Sequence, residues 1–168
     1  MRRPNAAYRG ADEQAENQRS NDDGGDQSHV DVLGRELSVG DLVVDDEYGA
    51  KWSGGFARVM RLTGEPANAV KATAVEGKPT VAELNPHLSP TTPVVEIALE
   101  EWLMKASATY RRNPHRVWDA ARNPEKPNTA AGFADDFLRQ NRDTVNVYEF
   151  PSKRLRRADG RDAGGETA

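Results

Sequence analysis

Large apolar residues crowd into the middle of the chain and thin out at both ends. Residues 1–29 hold only Met1 and Tyr8 of that kind, and residues 158–168 hold none. Polar runs such as Asn21-Asp22-Asp23-Gly24-Gly25-Asp26 bury too little surface to offset the entropy of ordering them. Disordered tails are therefore predicted at 1–29 and 158–168, around a folded domain at 30–157. Within that domain, the turn signal Ser38-Val39-Gly40-Asp41 leads into Leu42-Val43-Val44, which predicts a strand over 41–45. Glycines punctuate the loop that follows, over 46–54. A second strand is predicted over 56–62. Ala57 and Val59 share one face there, and Met60 and Leu62 the other, with Arg58 and Arg61 interrupting.

A weaker strand is expected over 68–75, where Val70, Ala72 and Ala74 fall on one face. Thr80 with Glu83 three residues later fits a capping box and predicts one short helical turn through Leu84. Prolines make 85–93 a loop. Val94 to Leu99 is the clearest strand, with Val95, Ile97 and Leu99 inward. The period then changes. Leu103, Ala106 and Tyr110 lie on one helical face. Pro114 opens a second helix carrying Val117, Trp118 and Ala121. Thr129 caps a third, whose face is Phe133, Ala134, Phe137 and Leu138. A last strand is predicted over 144–150, stopped by Pro151, and Ser152 to Arg157 is a short tail.

The order is four short strands, a helical insertion over about 100–140, and a fifth strand. The fold class is mainly β with inserted helices (α+β). A small five-stranded Src-homology-3-like barrel fits that order. An oligonucleotide-binding barrel fits less well, because the first two strands are too short for it.

Composition narrows the function. The chain has 168 residues, a hydrophobic fraction of 36% and a charged fraction of 30%, against a usual apolar share of about 45–50%. Net charge is -4 and cysteine is absent. Disulfides, thiolate metal sites and cysteine nucleophiles are thereby excluded, and the chain as a whole is no basic nucleic-acid binder. No apolar run reaches the roughly 18 residues of a membrane span. Arg2-Arg3 is followed by no apolar stretch, so a signal peptide is not expected and the cytoplasm is the expected location.

The chain resembles an uncharacterised group of small proteins common in extremely halophilic archaea. Three stretches carry the resemblance: Val39-Gly40-Asp41-Leu42-Val43-Val44-Asp45; Leu84-Asn85-Pro86 with Pro93-Val94-Val95-Glu96-Ile97; and Tyr148-Glu149-Phe150-Pro151-Ser152-Lys153-Arg154-Leu155. They cover about a third of the chain and carry over no catalytic residue. The long polar N-terminus and Arg156-Arg157 depart from the group. A weaker likeness is to KOW-type barrels of ribosomal and transcription proteins, through Gly40-Asp41-x-Val43 and Gly55-x-Ala57-x-Val59. The loop that is usually basic in those barrels reads Asp45-Asp46-Glu47 here, which argues against phosphate contact.

Candidate chemistry is sparse. His29, His87 and His115 show no metal-ligand spacing. Asp45-Asp46-Glu47 lacks the alternating ligands of a calcium loop. No nucleophile elbow and no phosphate-binding loop occurs. No catalytic residue, metal or cofactor is therefore expected, and the chain is read as an interaction module that is not an enzyme. Tyr48, Trp52 and Phe56 are the candidate ledge for a protein partner, since small barrels bind extended peptides with loop aromatics. The other reading is nucleic-acid binding. It would use Arg111, Arg112 and Arg116, flanked by Tyr110 and Trp118, together with Lys153, Arg154, Arg156 and Arg157.

Overall fold

The computed structural model describes residues 29–47, 55–123, 125 and 129–158. Residues 1–28 and 159–168 of the predicted tails, and residues 48–54 of the loop, lie outside these residues. Five strands form one antiparallel sheet: β1 (Leu42–Asp45), β2 (Ala57–Pro66), β3 (Pro93–Leu99), β4 (Tyr148–Pro151) and β5 (Leu155–Arg157). Their order across the sheet is β4-β3-β2-β1-β5. The helices are α1 (Val81–Leu84), α2 (Glu100–Ala106), α3 (Ala108–Arg112), α4 (Pro114–Ala121) and α5 (Thr129–Gln140). The fold is thus α+β, as the patterning implied. Among the described residues, no helix is long and apolar enough to cross a membrane.

The two outer strands are neighbours in sequence. Only the 3-10 turn Ser152–Arg154 separates β4 from β5, so the sheet curls until its edges lie one turn apart. It does not close into a barrel: β4 pairs with β3 and β5 with β1, not with each other. Pro151 brings no N–H to a ladder, and the next three residues are spent on the turn.

The curl gives the sheet two unlike faces. On one, Val43, Ala57, Val59, Val95, Ile97, Leu99 and Leu155 pack with Leu37. Strands from both edges contribute, and half-buried Tyr148 and Phe150 of β4 join them. On the other, Met60 and Ala98 meet Leu103, Tyr110, Trp118, Ala134 and Phe137 of the helices, with Val145. A bulge sets which β2 residue faces which core. Val59 pairs with Ile97 and Arg61 with Glu96, so Met60 is the extra residue. The inward set is therefore Ala57, Val59 and Leu62. Met60 and Leu62 do not share a face, contrary to simple alternation, because the inserted residue shifts the phase.

Four further differences have local causes. β2 runs on through Gly64-Glu65 to Pro66, with a second register shift before Pro66. The expected strand at 68–75 is absent. That segment starts as a 3-10 turn, Ala67–Ala69, and folds back on residues 79–81 through Ala72 N–H to Pro79 and Val81 N–H to Val70. Residues 144–147 precede β4 rather than belonging to it, because Thr144 and Val145 donate to the Asn141 carbonyl and Val145 enters the helix-side core. Finally, the expected tail 152–157 holds β5, which pairs with β1 through Val43–Arg157, Val44–Arg156 and Asp45–Leu155.

The helices follow their caps. Thr80 and Glu83 form the reciprocal capping box. The face of Leu103 and Tyr110 is broken at Ser107, an extended residue whose side chain accepts from Tyr110 N–H and so starts α3. Asn113 does the same for α4, with Pro114 at its first position. Thr129 is the first residue of α5, and its hydroxyl donates to the Ala121 carbonyl. Gly40 is fixed by packing and conformation together. Its φ is +95°, and a Cβ there would lie 2.7 Å from the Trp118 ring.

Candidate functional site

Phe56 sits where the undescribed 48–54 segment returns to the sheet. Tyr48 and Trp52, its predicted companions, lie outside the described residues. Phe56 is 41% exposed, and its carbonyl accepts the Glu100 N–H at the start of α2. Two residues on, Trp102 is half-buried and touches both cores. The Lys105 ammonium stands 4.6 Å from the Trp102 ring centroid and pairs with Glu101 at 3.5 Å. This end of the sheet thus carries an exposed ring, a partly exposed indole and a cation.

The other side of the same loop is anchored by charge. Glu47, the last described residue before the segment, meets His87 Nε2 at 2.6 Å. Arg154 grips Asp45 with two bonds, Nε at 3.0 Å and Nη2 at 2.8 Å. Its Nη1 donates to Asn85 Oδ1 at 3.0 Å, and its guanidinium lies 4.6 Å from the Phe150 ring centroid. Asp46 pairs with Arg156 at 3.3 Å. All three acidic side chains of Asp45-Asp46-Glu47 face a cationic or titratable partner, which accounts for them without a metal. Among the described residues, no group of three His, Asp or Glu side chains is placed to hold one. Asp45, Asn85 and Arg154 thus tie the end of β1, the loop after α1 and the turn between β4 and β5 into one clasp.

A second cluster escaped the sequence reading. Arg58 is 1% exposed. Its Nε lies 3.1 Å from both Glu100 oxygens and its Nη2 2.9 Å from one. Its Nη1 donates to the Gly40 carbonyl at 2.9 Å, and Nη2 is 3.4 Å from His115 Nδ1. The Tyr110 hydroxyl donates to Glu100 at 2.5 Å, and Trp118 Nε1 donates to that hydroxyl at 2.7 Å. Burial first, and then the Glu100 charge, push the Tyr110 phenol far above its ordinary range. It stays protonated as a donor and cannot serve as a base near neutral pH. Glu100 is filled by Arg58 and Tyr110. The geometry fits a lock between sheet and helices, not a proton relay. The available signal was an arginine inside an apolar strand, followed later by Glu100-Glu101 at a helix start.

The two predicted basic clusters differ in surroundings. On the C-terminal side Lys153 is exposed, but Arg154 and Arg156 pair as described. Arg157 donates its backbone N–H to Asp31 at 2.9 Å, and its guanidinium lies 3.9 Å from Asp41. Arg111, Arg112 and Arg116 are exposed on α3 and α4, with Arg111 donating to the Met104 carbonyl at 3.2 Å. Tyr110 and Trp118, expected to stack beside them, are 2% and 1% exposed. The structure leaves the clusters on separate elements, one on β5 and its turn and the other on α3 and α4.

The remaining histidine, His29, opens the described region, and its carbonyl accepts the Leu37 N–H. Burial holds its imidazole below the usual range. No family model, curated protein or solved structure matches the chain.

Proposed function

We propose that this protein is an interaction module, working by binding and not by catalysis, that holds an extended peptide of a protein partner at the Phe56 end of the sheet. One observation carries the reading. Phe56 stays exposed where the β1–β2 loop joins β2, and its carbonyl accepts the N–H of Glu100, two residues before the partly exposed Trp102 with the Lys105 ammonium over its ring. An apolar anchor next to an amphipathic ring and a cation suits a peptide with apolar and acidic side chains. In the same reading the curled sheet is a Src-homology-3-like barrel left open along one side. Its strand order, and the single 3-10 turn between β4 and β5, support that description. Tyr48 and Trp52, which the sequence pattern groups with Phe56, lie outside the described residues.

The test is selection of binders to the full-length protein from a phage-displayed library of random peptides, followed by titration of the winners. Selected peptides should bind in molar salt, since apolar contacts are not screened. Trp52→Ala and Phe56→Ala should each weaken them by about tenfold, or about 1.4 kcal/mol, with the circular dichroism spectrum unchanged. Failure to select any binder, or winners indifferent to both substitutions, overturns the reading.

A further inference from the structure

Most described arginines pair with a carboxylate, among them Arg35 with Asp31, Arg122 with Asp41 and Arg139 with Asp136. Those of the sheet each meet a carboxylate: Arg58 with Glu100, Arg61 with Glu96, Arg154 with Asp45, Arg156 with Asp46, and Arg157 near Asp41. The exposed arginines of α3 and α4 form no such pair among the described residues. Among the described residues, Arg111 donates only to a backbone carbonyl, and neither Arg112 nor Arg116 has a carboxylate within ion-pair distance. Three unpaired guanidinium groups thus fall within six residues of a protein whose net charge is -4. The caps explain their exposure. Asn113 spends its side chain on Arg116 N–H, and Tyr110 and Trp118 turn into the core between them.

We propose that this α3–α4 face docks the phosphate backbone of duplex nucleic acid, without reading its sequence. Charge complementarity selects a polyanion, and guanidinium forks suit phosphate oxygens. Two features select the duplex. The exposed large apolar residues of the described chain are Val32, Leu33, Phe56, Val75 and Leu84, and none lies on α3 or α4. A peptide or a membrane surface would find no apolar anchor there. The flanking aromatics are buried, so unstacked bases of a single strand find no ring to stack on. A duplex offers one charge per roughly 1.7 Å of axis and needs no stacking platform. This face is separate from the Phe56 ledge and does not depend on it.

The experiment is fluorescence anisotropy of the full-length protein with two labelled short DNA duplexes of unrelated sequence, a single strand and polyglutamate. Salt is raised from about 50 to about 200 mM, with folding confirmed by circular dichroism at each step. The two duplexes should bind alike and more tightly than the single strand or polyglutamate. Log K should fall against log salt with a slope of about −0.9 × 3 ≈ −2.7. The triple variant Arg111→Gln, Arg112→Gln, Arg116→Gln should weaken duplex binding at least about tenfold, while Lys153→Gln should leave it unchanged. The proposal is overturned by absent binding at the lowest salt, by a triple variant that binds as well, by a strong preference for one duplex, or by polyglutamate binding equally.

Discussion

Two guanidinium–carboxylate clasps hold this fold, and they differ in what stands behind them. Arg58–Glu100 joins the sheet to the helical insertion, and Arg154–Asp45 joins the curled edge of the sheet to its first strand. Both are two-point contacts. In the first, the cation is the deeply buried member, at 1% against 12% exposure for Glu100; in the second it is the anion, at 1% against 15% for Arg154. The first also extends through Tyr110 to Trp118, which fills the helix-side core and lies over Gly40. The second ends on Asn85 and the Phe150 ring. A clasp with a core residue at its end ties electrostatics to packing. One that ends on a loop and a half-exposed ring mainly fixes register.

The comparison breaks most visibly at Arg58. Arg58→Ala removes the partner of a mostly buried carboxylate and should cost about 3–5 kcal/mol in chemical denaturation. The loss should be uneven. Amide hydrogen exchange should accelerate across α3 and α4 and stay slow in β5. Arg58→Met refills the volume but still leaves Glu100 unpaired. It should recover little of the stability, whereas Arg58→Met with Glu100→Gln should recover much more. Equal recovery by both would show that packing, not charge, is what Arg58 supplies.

Arg154→Ala tests the other half. Two charge-assisted bonds to Asp45 and one to Asn85 are lost, while buried Asp45 keeps the Glu47 N–H at 3.0 Å, with an expected cost of about 2–3 kcal/mol. Exchange should rise in β1 and β5 and leave α3 and α4 protected. If both variants loosen the same amides, the clasps are one cooperative unit and the contrast between them fails.

These clasps also mark the limit of what patterning could show. Strand β3, the capping box at Thr80 and the helix faces of Trp118 and Phe137 were legible because periodicity and caps are local. The bulge at Met60 was not, since the extra residue is defined only by its partner strand. β5 read as a charged tail because Leu155-Arg156-Arg157 has one apolar residue, and its strand character comes from pairing with β1. Arg58 read as an interruption because its carboxylate stands 42 residues away. The sites followed the same rule. The basic run at the C-terminus looked like one exposed cluster, but its partners Asp31, Asp41, Asp45 and Asp46 are distant in sequence. The bareness of Arg112 and Arg116 becomes visible only once those pairings are known.

The smallest effect sharpens the β5 side. Asp31 is fully buried and accepts the backbone N–H groups of Leu33, Arg35 and Arg157, with the Arg35 guanidinium alongside. Burial pushes its carboxyl up. The hydrogen bonds from Arg157 and Arg35 and the Arg35 charge outweigh burial and hold it below the ordinary range. A carboxylate depressed on folding stabilises fully above its unfolded value of about 3.9, and the contribution fades as pH falls through the folded value. The denaturation midpoint should therefore drop as the solution is acidified below about pH 4. Asp31→Asn keeps an oxygen acceptor but loses the charge. It should cost about 1–2 kcal/mol near neutral pH, and the gap to the natural protein should narrow on acidification. A gap that stays constant down to pH values where Asp31 is protonated would place its contribution in shape alone. The β5 edge would then be held by Arg154–Asp45 without electrostatic help from the N-terminal turn.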